Sequence, residues 1–169
     1  MSEIRLQLLR PDHASAVLAF ERANRAYFAA SVPDRGDEYF AAFGERHRAL
    51  LAEQAAGVCY FHVLLDEATG AVLGRFNLVD VADGEAELGY RVAEGAAGRG
   101  LATAGVRALC ELAARDYGLT ALRAGTTVGN AASRAVLART GFSVTGETTL
   151  SGGLPALTFR RSLGREATA

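Results

Sequence analysis

Residues 85–142 decide the fold of this chain, and they read EAELGYRVAEGAAGRGLATAGVRALCELAARDYGLTALRAGTTVGNAASRAVLARTGF. Apolar side chains alternate over residues 85–92, which predicts a strand, and then recur at helical spacing over 99–117, which predicts a helix. A second strand is predicted over 119–126, and a second helix over 130–140. Two strands that enclose a helix in this order are expected to be parallel neighbours joined by a right-handed crossover.

The first of these strands leads into a glycine-rich turn, Ala97-Gly98-Arg99-Gly100-Leu101-Ala102, which opens onto the long helix. The N-terminus of a helix exposes backbone N–H groups and therefore binds anions readily. Gly98 and Gly100 carry no side chain, so a phosphate can approach the backbone closely at this turn. We therefore expect the chain to bind a phosphorylated ligand.

Three nucleotide ligands compete for such a turn. A Walker A loop requires Gly-Lys-Ser/Thr, which this turn lacks. A dinucleotide fingerprint requires a third glycine, where this chain has Thr103, and an acidic residue about twenty positions later, whereas residues 119–125 contain no carboxylate. Coenzyme A is the ligand that remains.

The composition limits the class of protein. The 169 residues suffice for one domain with a sizeable core, and half of them are hydrophobic, with a mean hydropathy of +0.11. No apolar run approaches the roughly 20 residues that a membrane helix needs, and the N-terminus has the features of neither a signal peptide nor a transit peptide. The net charge of −1 and the pI of about 6.3 do not indicate a nucleic-acid surface. We expect a cytoplasmic protein that binds neither nucleic acid nor membrane.

The side chains that form disulfides or bind metals are few and scattered. Cys59 and Cys110 lie in apolar segments and are expected to be buried thiols, since cysteine is among the most buried residue types. The three histidines, His13, His47 and His62, lack the spacing of metal ligands, so no metal site is predicted.

The segments outside residues 85–142 also show strand and helix patterns. Strands are predicted over residues 4–9, 58–65, 72–81, 142–150 and 154–163, the last two as a hairpin around Ser151-Gly152-Gly153. Helices are predicted over 11–25, with Asp12 as the cap, and over 38–54, with an irregular stretch between them over 26–37. The fold class is therefore α+β, a mixed sheet with helices on both faces.

Two sequence blocks on these elements carry a family resemblance. The turn over 97–102 is similar to a Q/R-x-x-G-x-G/A motif, and Asn130-Ala-Ala-Ser133, with Gly141-Phe142 after it, is similar to an N-x-x-(A/S)…G-F block. Together they resemble the acyl-CoA core of the GNAT superfamily of N-acetyltransferases. Further features resemble its RimJ/RimL-like branch, which acetylates ribosomal-protein N-termini and other amines: Glu87-Leu88-Gly89-Tyr90, Ser133 and Asn24-Arg25. The resemblance covers most of the chain.

The resemblance implies the GNAT acyl-CoA N-acyltransferase fold, whose central sheet is mostly antiparallel with one parallel, splayed strand pair. It implies a single acetyltransferase domain over residues 1–163 and a flexible C-terminal tail over 164–169. It also implies acetyl-CoA as co-substrate, no metal, an amine acceptor, and a monomer or a homodimer. The chain departs from the family at Ala97, where Gln or Arg is usual, but we expect coenzyme A to bind because backbone amides hold its pyrophosphate.

The resemblance also implies which residues contact the cofactor. The pantetheine arm is expected along residues 88–92, with the N–H of Tyr90 or Arg91 polarising the thioester carbonyl. Arg139 is expected at the ribose phosphate, or else as a solvated residue near a helix C-terminus. Asn130 is expected both to cap its helix and to contact the cofactor. The full set is Tyr90, Arg91, Val92, Gly98, Arg99, Gly100, Leu101, Ala102, Thr103, Asn130, Ser133 and Arg139.

Two residues are expected to be catalytic by the same resemblance. Glu87 is the candidate base that deprotonates the amine, and the alternative is an ordinary carboxylate in a polar strand. Ser133 is the candidate acid or thiol contact, and the alternative is a first-turn serine that bonds only the backbone. The chain departs from the family at Leu137, where many members have a tyrosine acid, and at the hairpin near 151–153, where RimL-like enzymes have a glutamate and the nearest here is Glu147.

Four aromatic residues are expected to build the acceptor pocket: Tyr27, Phe28, Tyr39 and Phe40. For Tyr27 and Phe28, packing in the core is the alternative role. The acceptor itself stays open between a peptide N-terminus, a polyamine, an amino acid and an antibiotic amine. A non-catalytic acyl-CoA-binding module with the same fold is the alternative function.

Overall fold

The computed structural model describes residues 3–150 and 152–164, and its centre is a single seven-stranded sheet. The strands are β1 (Ile4–Leu8), β2 (Tyr60–Asp66), β3 (Val72–Ala82), β4 (Glu85–Val92), β5 (Ala121–Thr127), β6 (Ser143–Leu150) and β7 (Leu154–Ser162). They lie in the order β1-β2-β3-β4-β5-β7-β6, and every neighbouring pair is antiparallel except β4 and β5. The predicted mixed sheet with one parallel pair is therefore confirmed.

Six α-helices cover the two faces of this sheet. They are α1 (Ala14–Ala23), α2 (Arg25–Ala29), α3 (Asp37–Ala41), α4 (Phe43–Ala55), α5 (Leu101–Arg115) and α6 (Ala131–Arg139). On one face, α5 and α6 pack on the central strands, with Leu109 and Leu122 fully buried. On the other face, the N-terminal helices pack on β2 and β3, with Val17 and Val63 fully buried. Helices on both faces were predicted, and this arrangement confirms them.

The predicted helix over 11–25 is wrong in its details. The chain forms a short 3₁₀ turn (Pro11–His13), then α1, and then α2, which occupies the beginning of the stretch predicted as irregular. Asp12 is not the cap. Its carboxylate instead pairs with the guanidinium of Arg10 at 3.0 Å on the surface, and the Nδ1 of His13 accepts the Arg10 N–H at 3.0 Å.

The predicted helix over 38–54 is also interrupted, because Ala42 leaves the helical conformation between α3 and α4. The break turns both Tyr39 and Phe43 toward the core, where their rings meet edge to face with centroids 5.7 Å apart. The periodicity of apolar residues alone does not reveal such a break, because the apolar positions keep helical spacing on both sides of it.

The hairpin at the end of the chain is confirmed by the pairing of β6 with β7, which extends to Leu150 opposite Leu154. Ser151 of its predicted turn and residues 165–169 of the predicted tail lie outside the described residues. Over the described ranges, no helix combines the length and the apolar character needed to span a membrane.

The parallel pair separates soon after it forms, and this separation positions the site. Strands β4 and β5 are in register only over Glu85–Glu87 and Ala121–Arg123. Beyond that point β4 pairs only with β3, and β5 only with β7. A gap therefore opens in the middle of the sheet, next to the N-terminus of α5. We call it the β4–β5 gap.

Candidate active site

The glycine turn before α5 has the geometry of an anion site. Gly98 and Gly100 adopt φ angles of 77° and 74°, a left-handed conformation that side chains disfavour, and the space where a Cβ would project is open at both positions. No side chain caps α5, and the first helical bond runs from the Ala104 N–H to the Gly100 carbonyl at 3.0 Å. The N–H groups of Leu101, Ala102 and Thr103 precede that bond and point outward along the helix axis. This cradle fits the diphosphate of coenzyme A.

Two arginines were predicted near this cradle. Arg99 is exposed between the two glycines, in position to face an anion. Arg139 is exposed at the end of α6, and its carbonyl oxygen accepts a hydrogen bond from Arg107 at 3.3 Å. The C-terminal end of α6 is therefore in contact with the Arg107 side chain of α5.

Backbone hydrogen bonds decide which amides of β4 face the gap. The Ala93 N–H donates to the Leu73 carbonyl of the β3 side at 2.8 Å, and the Gly84 carbonyl accepts from Thr120 of the β5 side at 2.7 Å. Since N–H and C=O groups alternate between the two edges of a strand, the even-numbered residues of β4 face β5, and the backbone groups of residues 90 and 92, which lie beyond the last pair, point into the gap. The N–H of Arg91 points to β3. Of the two predicted thioester donors, the geometry therefore favours Tyr90 and disfavours Arg91.

The side chain of Tyr90 reaches the first turn of α6. Its ring stacks on Phe76, with centroids 5.5 Å apart and an interplanar angle of 12°, and its hydroxyl lies 3.3 Å from the Oγ of Ser133. The Oδ1 of Asn130 accepts the Ser133 N–H at 3.0 Å, which confirms Asn130 as the helix cap. Burial raises the pKa of Tyr90, although its bond to Ser133 opposes this. Two hydroxyl groups thus meet on the α6 side of the gap.

Close packing fixes this arrangement relative to the anion cradle. A Cβ on Gly105 of α5 would lie only 2.3 Å from the Phe76 ring, so the helix rests directly on that ring. The Phe76 ring also stacks on Tyr90, so it contacts both α5 and the Tyr90 ring. Leu137, at the position where many members of the resembled family have a tyrosine acid, is 1% exposed in the core and offers no proton donor.

Glu87 lies on the other face of β4 and differs from its neighbour Glu85. The Glu85 carboxylate binds Arg160 at 3.0 Å and Arg123 at 3.2 Å, and these two arginines lower its pKa. Glu87 is exposed and forms no ion pair with any residue that the structure describes. Its carboxylate is therefore free to take a proton or bind an ammonium group, which Glu85 is not.

An open space lies beside Glu87 on the same face. Gly89, two residues along β4, has no atom within 4 Å of its Cβ position. Opposite Gly89 on β3 is Asn77, whose Oδ1 is buried and finds no hydrogen-bond partner in the described part of the chain. The space above Gly89 is therefore open on the same face as the Glu87 carboxylate. Neither Asn77 nor Gly89 was among the residues predicted for the acceptor side of the site.

A cluster of charged side chains borders this space. Glu21 of α1 is 1% exposed, and its carboxylate binds Arg75 at 2.8 Å, Arg35 at 3.0 Å and Arg91 at 3.3 Å. Burial alone would raise the pKa of Glu21, but the guanidinium groups of Arg75 and Arg35 hold it below its ordinary value. This cluster was not predicted, although the sequence contains an indication of it. Glu21 follows the buried Val17 by four positions and so falls on the apolar stripe of its helix.

The four predicted acceptor aromatics fall into two groups. Phe28 and Tyr39 are buried in the core, and each carries an arginine on its ring, Arg91 at 4.5 Å over Phe28 and Arg35 at 4.7 Å over Tyr39. Tyr27 is 39% exposed and Phe40 is half-buried. Phe40 also carries an arginine, Arg25 at 4.5 Å, so three of the four rings support guanidinium groups, and Tyr27 and Phe40 are the more exposed of the four.

A family model described as Acetyltransferase (GNAT) domain matches residues 3–143. No curated protein matches the chain in sequence.

Solved structures share the fold at low identity. A ribosomal-protein-S5-alanine acetyltransferase from Vibrio fischeri superimposes with a TM-score of 0.89 at 17% identity, over 96% of this chain and 94% of its own. RimJ from Mycobacterium smegmatis, in complex with CoA-disulfide, gives 0.83 at 23% identity, over 94% of this chain and 81% of its own. A mutant of the spermidine N-acetyltransferase SpeG from Vibrio cholerae gives 0.75 at 13% identity, over 94% of this chain and 95% of its own.

Proposed function

Because the chain belongs to the GNAT acetyltransferase family and is an acetyl-CoA-dependent acetyltransferase, we propose that it acetylates a primary amine by direct attack in a ternary complex. The amine is a protein N-terminal α-amine or that of a small molecule. The observation that carries the proposal is the β4–β5 gap, which has the Tyr90–Ser133 hydroxyl pair on one face and Glu87 on the other. An acyl donor and an amine held on opposite faces meet through such a gap.

The cofactor supplies an acetyl thioester, which is reactive toward amines. The N–H groups at the start of α5 hold its diphosphate, and residues 88–92 hold its pantetheine arm by their gap-facing backbone groups. The Tyr90 N–H donates to the thioester oxygen, where negative charge develops during attack. These contacts bring the thioester to the amine in a fixed orientation, which lowers the entropic part of the barrier.

Glu87 prepares the amine for attack. An α-amine has a pKa of about 8, so most of it is protonated at neutral pH and cannot act as a nucleophile. The exposed carboxylate of Glu87 accepts that proton, directly or through a water molecule. The open space over Gly89, on the same face of β4, gives the amine room beside Glu87.

Tyr90 and Ser133 stabilise the leaving thiolate. A thiol has a pKa of about 8.5 and a phenol one of about 10, so complete proton transfer from tyrosine to a thiolate is uphill. Burial, which raises the pKa of Tyr90 further, makes the transfer still less favourable. The two hydroxyl groups therefore act by donating hydrogen bonds to the sulfur, and the proton that completes the reaction comes from solvent.

Acetylation of a protein N-terminus of the RimJ/RimL type is the first acceptor class to test, since the V. fischeri and M. smegmatis enzymes give the higher TM-scores. The free thiols Cys59 and Cys110 support a cytoplasmic site of action. The alternative, an acyl-CoA-binding module without catalysis, is favoured by the apolar Leu137 at the position of the family's tyrosine acid.

Mass spectrometry of acetyl transfer tests the proposal. The purified protein is incubated with acetyl-CoA and a mixed panel of ribosomal-protein N-terminal peptides, polyamines, aminoglycosides and amino acids. We expect acetylation of at least one amine, and loss of that product in the Glu87→Gln variant. Bound coenzyme A without any product across the panel would establish the binding module instead.

A further inference from the structure

The Glu21 cluster carries more positive than negative charge in a buried place. Three guanidinium groups share one carboxylate, and the exposed fraction of the side chain is 6% for Arg75, 23% for Arg91 and 30% for Arg35. Charge that is removed from water without a counter-charge is costly, so this cluster favours the arrival of an anion. Burial, and then the nearby Arg35, lower the pKa of Arg91, which agrees with an uncompensated cation.

Arg91 has donors to offer. One N–H of its NH1 group donates a hydrogen bond to Glu21. Its Nε and its second NH₂ group have no hydrogen-bond partner within residues 3–150 and 152–164. The ring of Phe28 lies under the guanidinium plane at 4.5 Å and fixes its orientation. A fixed planar guanidinium with a free edge binds a carboxylate by two parallel hydrogen bonds, a geometry that lysine cannot supply.

The position of Arg91 links this anion site to the amine site. Glu87, Gly89 and Arg91 alternate along β4, so their side chains share one face, and residues two apart along a strand are separated by about 6.6 Å. An amine beside Glu87 therefore has the Arg91 side chain beyond the open space at Gly89. One small acceptor, or the first residues of a peptide, spans that distance.

We propose that the acceptor of this enzyme carries a carboxylate close to its reactive amine, and that Arg91, supported by Arg35 and Arg75, binds that carboxylate. The inference rests on the proposed acetyl transfer and narrows its acceptor class. A polyamine presents cations along its whole length and is repelled by the cluster, so it is a poor acceptor here. The carboxylate comes either from an acidic side chain near a peptide N-terminus or from the α-carboxylate of a free amino acid.

Matched acceptors that differ in this charge test the proposal with the unaltered enzyme, with rates compared per unprotonated amine because a neighbouring carboxylate also raises the pKa of the amine. One pair is a short peptide with Ala then Asp at its N-terminus, and the same peptide with Asn in place of Asp. The second pair is free alanine and alaninamide. We expect kcat/KM to favour the acid over the amide about ten- to hundredfold in at least one pair, mostly through KM. Preference in the peptide pair alone identifies a side-chain carboxylate, and preference in the second pair alone identifies an α-carboxylate.

Variants of Arg91 assign the preference to this side chain. Arg91→Gln is expected to reduce the acid-to-amide ratio to about 1, and Arg91→Lys to keep part of it, since charge remains without the planar fork. Arg22→Gln, which removes an exposed positive charge from the same helix as Glu21, is the control and is expected to keep the full ratio. A purely structural role of Arg91 would lower the rate with both members of a pair and leave their ratio unchanged.

The outcomes separate the two proposals. Equal acetylation of acid and amide in both pairs, or an unchanged ratio in Arg91→Gln, would overturn the carboxylate site and leave acetyl transfer standing. If acetylated polyamines exceed every acid in the same assay, the carboxylate site is likewise overturned. Absence of product with all acceptors, while coenzyme A still binds, would overturn the proposed function and this inference with it.

Discussion

The hydroxyl of Tyr90 lies 3.3 Å from the Oγ of Ser133, and the two residues belong to β4 and to the helix that follows β5. The contact therefore joins the two sides of the β4–β5 gap. If both hydroxyls donate to the leaving thiolate, as we propose, removing either one leaves the thiolate with one donor fewer. We expect Tyr90→Phe and Ser133→Ala each to lower kcat about ten- to hundredfold, the range for a hydrogen bond to a charged group.

The double variant reports whether these hydroxyls act together. Residues in one hydrogen-bond network show non-additive effects, so the double variant is expected to lose less than the product of the two single losses. The measurement is kcat from steady-state kinetics with saturating acetyl-CoA. Strictly multiplicative losses would show that the two groups act independently.

Glu87→Gln is expected to lower kcat about a hundredfold or more, because the amide cannot accept the amine's proton. Glu85→Gln is the matched control, since Glu85 lies on the same face of the same strand but is held by Arg123 and Arg160. Its kcat is expected to change much less. Calorimetric titration with coenzyme A should give similar affinities for both variants. Equal losses of kcat would remove Glu87 from its assigned role.

Gly98→Glu is expected to weaken coenzyme A binding about tenfold or more, since a carboxylate and a strained φ would both oppose the diphosphate. Gly70→Glu is the matched control. Gly70 has a φ of 75° and open space around it, like Gly98, but it lies in the turn between β2 and β3. Calorimetry on the two variants separates the loss of the anion cradle from general backbone strain. Normal affinity in Gly98→Glu would place the diphosphate elsewhere.

Two helical glycines are expected to respond to alanine in opposite directions. In Gly105→Ala the new Cβ would meet the Phe76 ring at 2.3 Å, and overpacking of this kind costs about 1–3 kcal/mol. In Gly44→Ala the nearest atom is an arginine nitrogen at 3.6 Å, so the variant is expected to gain about 0.5 kcal/mol from helix propensity. Thermal unfolding of both measures the difference. A stable Gly105→Ala variant would show that α5 does not rest on Phe76 as described.

The stability of the fold is expected to depend on pH through His62. Its Nδ1 lies 2.9 Å from the Phe76 carbonyl and must donate to it, so its Nε2 accepts the hydroxyl hydrogen of Tyr117 at 2.6 Å. Burial lowers the pKa of His62 to about 4, against an ordinary value of 6.5. The unfolded chain therefore binds the extra proton first, and stability present above pH 6.5 is lost as the pH falls toward 4.

The expected loss assigned to His62 is about 2 kcal/mol between about pH 7 and about pH 5. Denaturant unfolding at the two pH values measures it. In His62→Gln, whose amide can still donate to Phe76 and accept from Tyr117, that part of the pH dependence should vanish while other titrating groups keep theirs. The same loss in both proteins would show that His62 is protonated in the folded state.

The half of the fold that binds the cofactor could be predicted because its signals are local. Glycines at the turn before α5, the cap at Asn130 and the alternation in β4 each depend on neighbouring residues. The helix breaks at Asn24 and Ala42 could not be predicted, because the apolar spacing continues across them and tertiary contacts decide where the helix ends. Backbone N–H groups alternate between the two edges of a strand, so those of Tyr90 and Arg91 point to opposite edges. Once the strand that neighbours each edge was known, this alternation could have shown which of the two faces the gap.

The acceptor side was predicted least well, because its chemistry comes from residues far apart in sequence. Glu21 and Arg75 are 54 positions apart, and neither has a local motif. The aromatic residues were predicted to bind the acceptor because of their residue type. In the structure, Phe28 and Tyr39 are buried and pack beneath arginine guanidinium groups. A polar residue on an apolar stripe, as at Glu21, is the pattern that would have indicated this cluster.

The short register between β4 and β5 has a consequence for hydrogen exchange. The backbone N–H groups of Tyr90 and Val92 lie beyond the last β4–β5 pair and face a gap with no neighbouring strand, so in the free protein we expect them to be bonded only to water. A pantetheine arm brings amides of its own and occupies the place of a missing strand. The nucleotide portion alone fills the cradle at α5 but leaves that place empty. We therefore expect the cofactor to complete the sheet as well as the reaction, and slow amide exchange at residues 90 and 92 to appear when its arm binds in the gap.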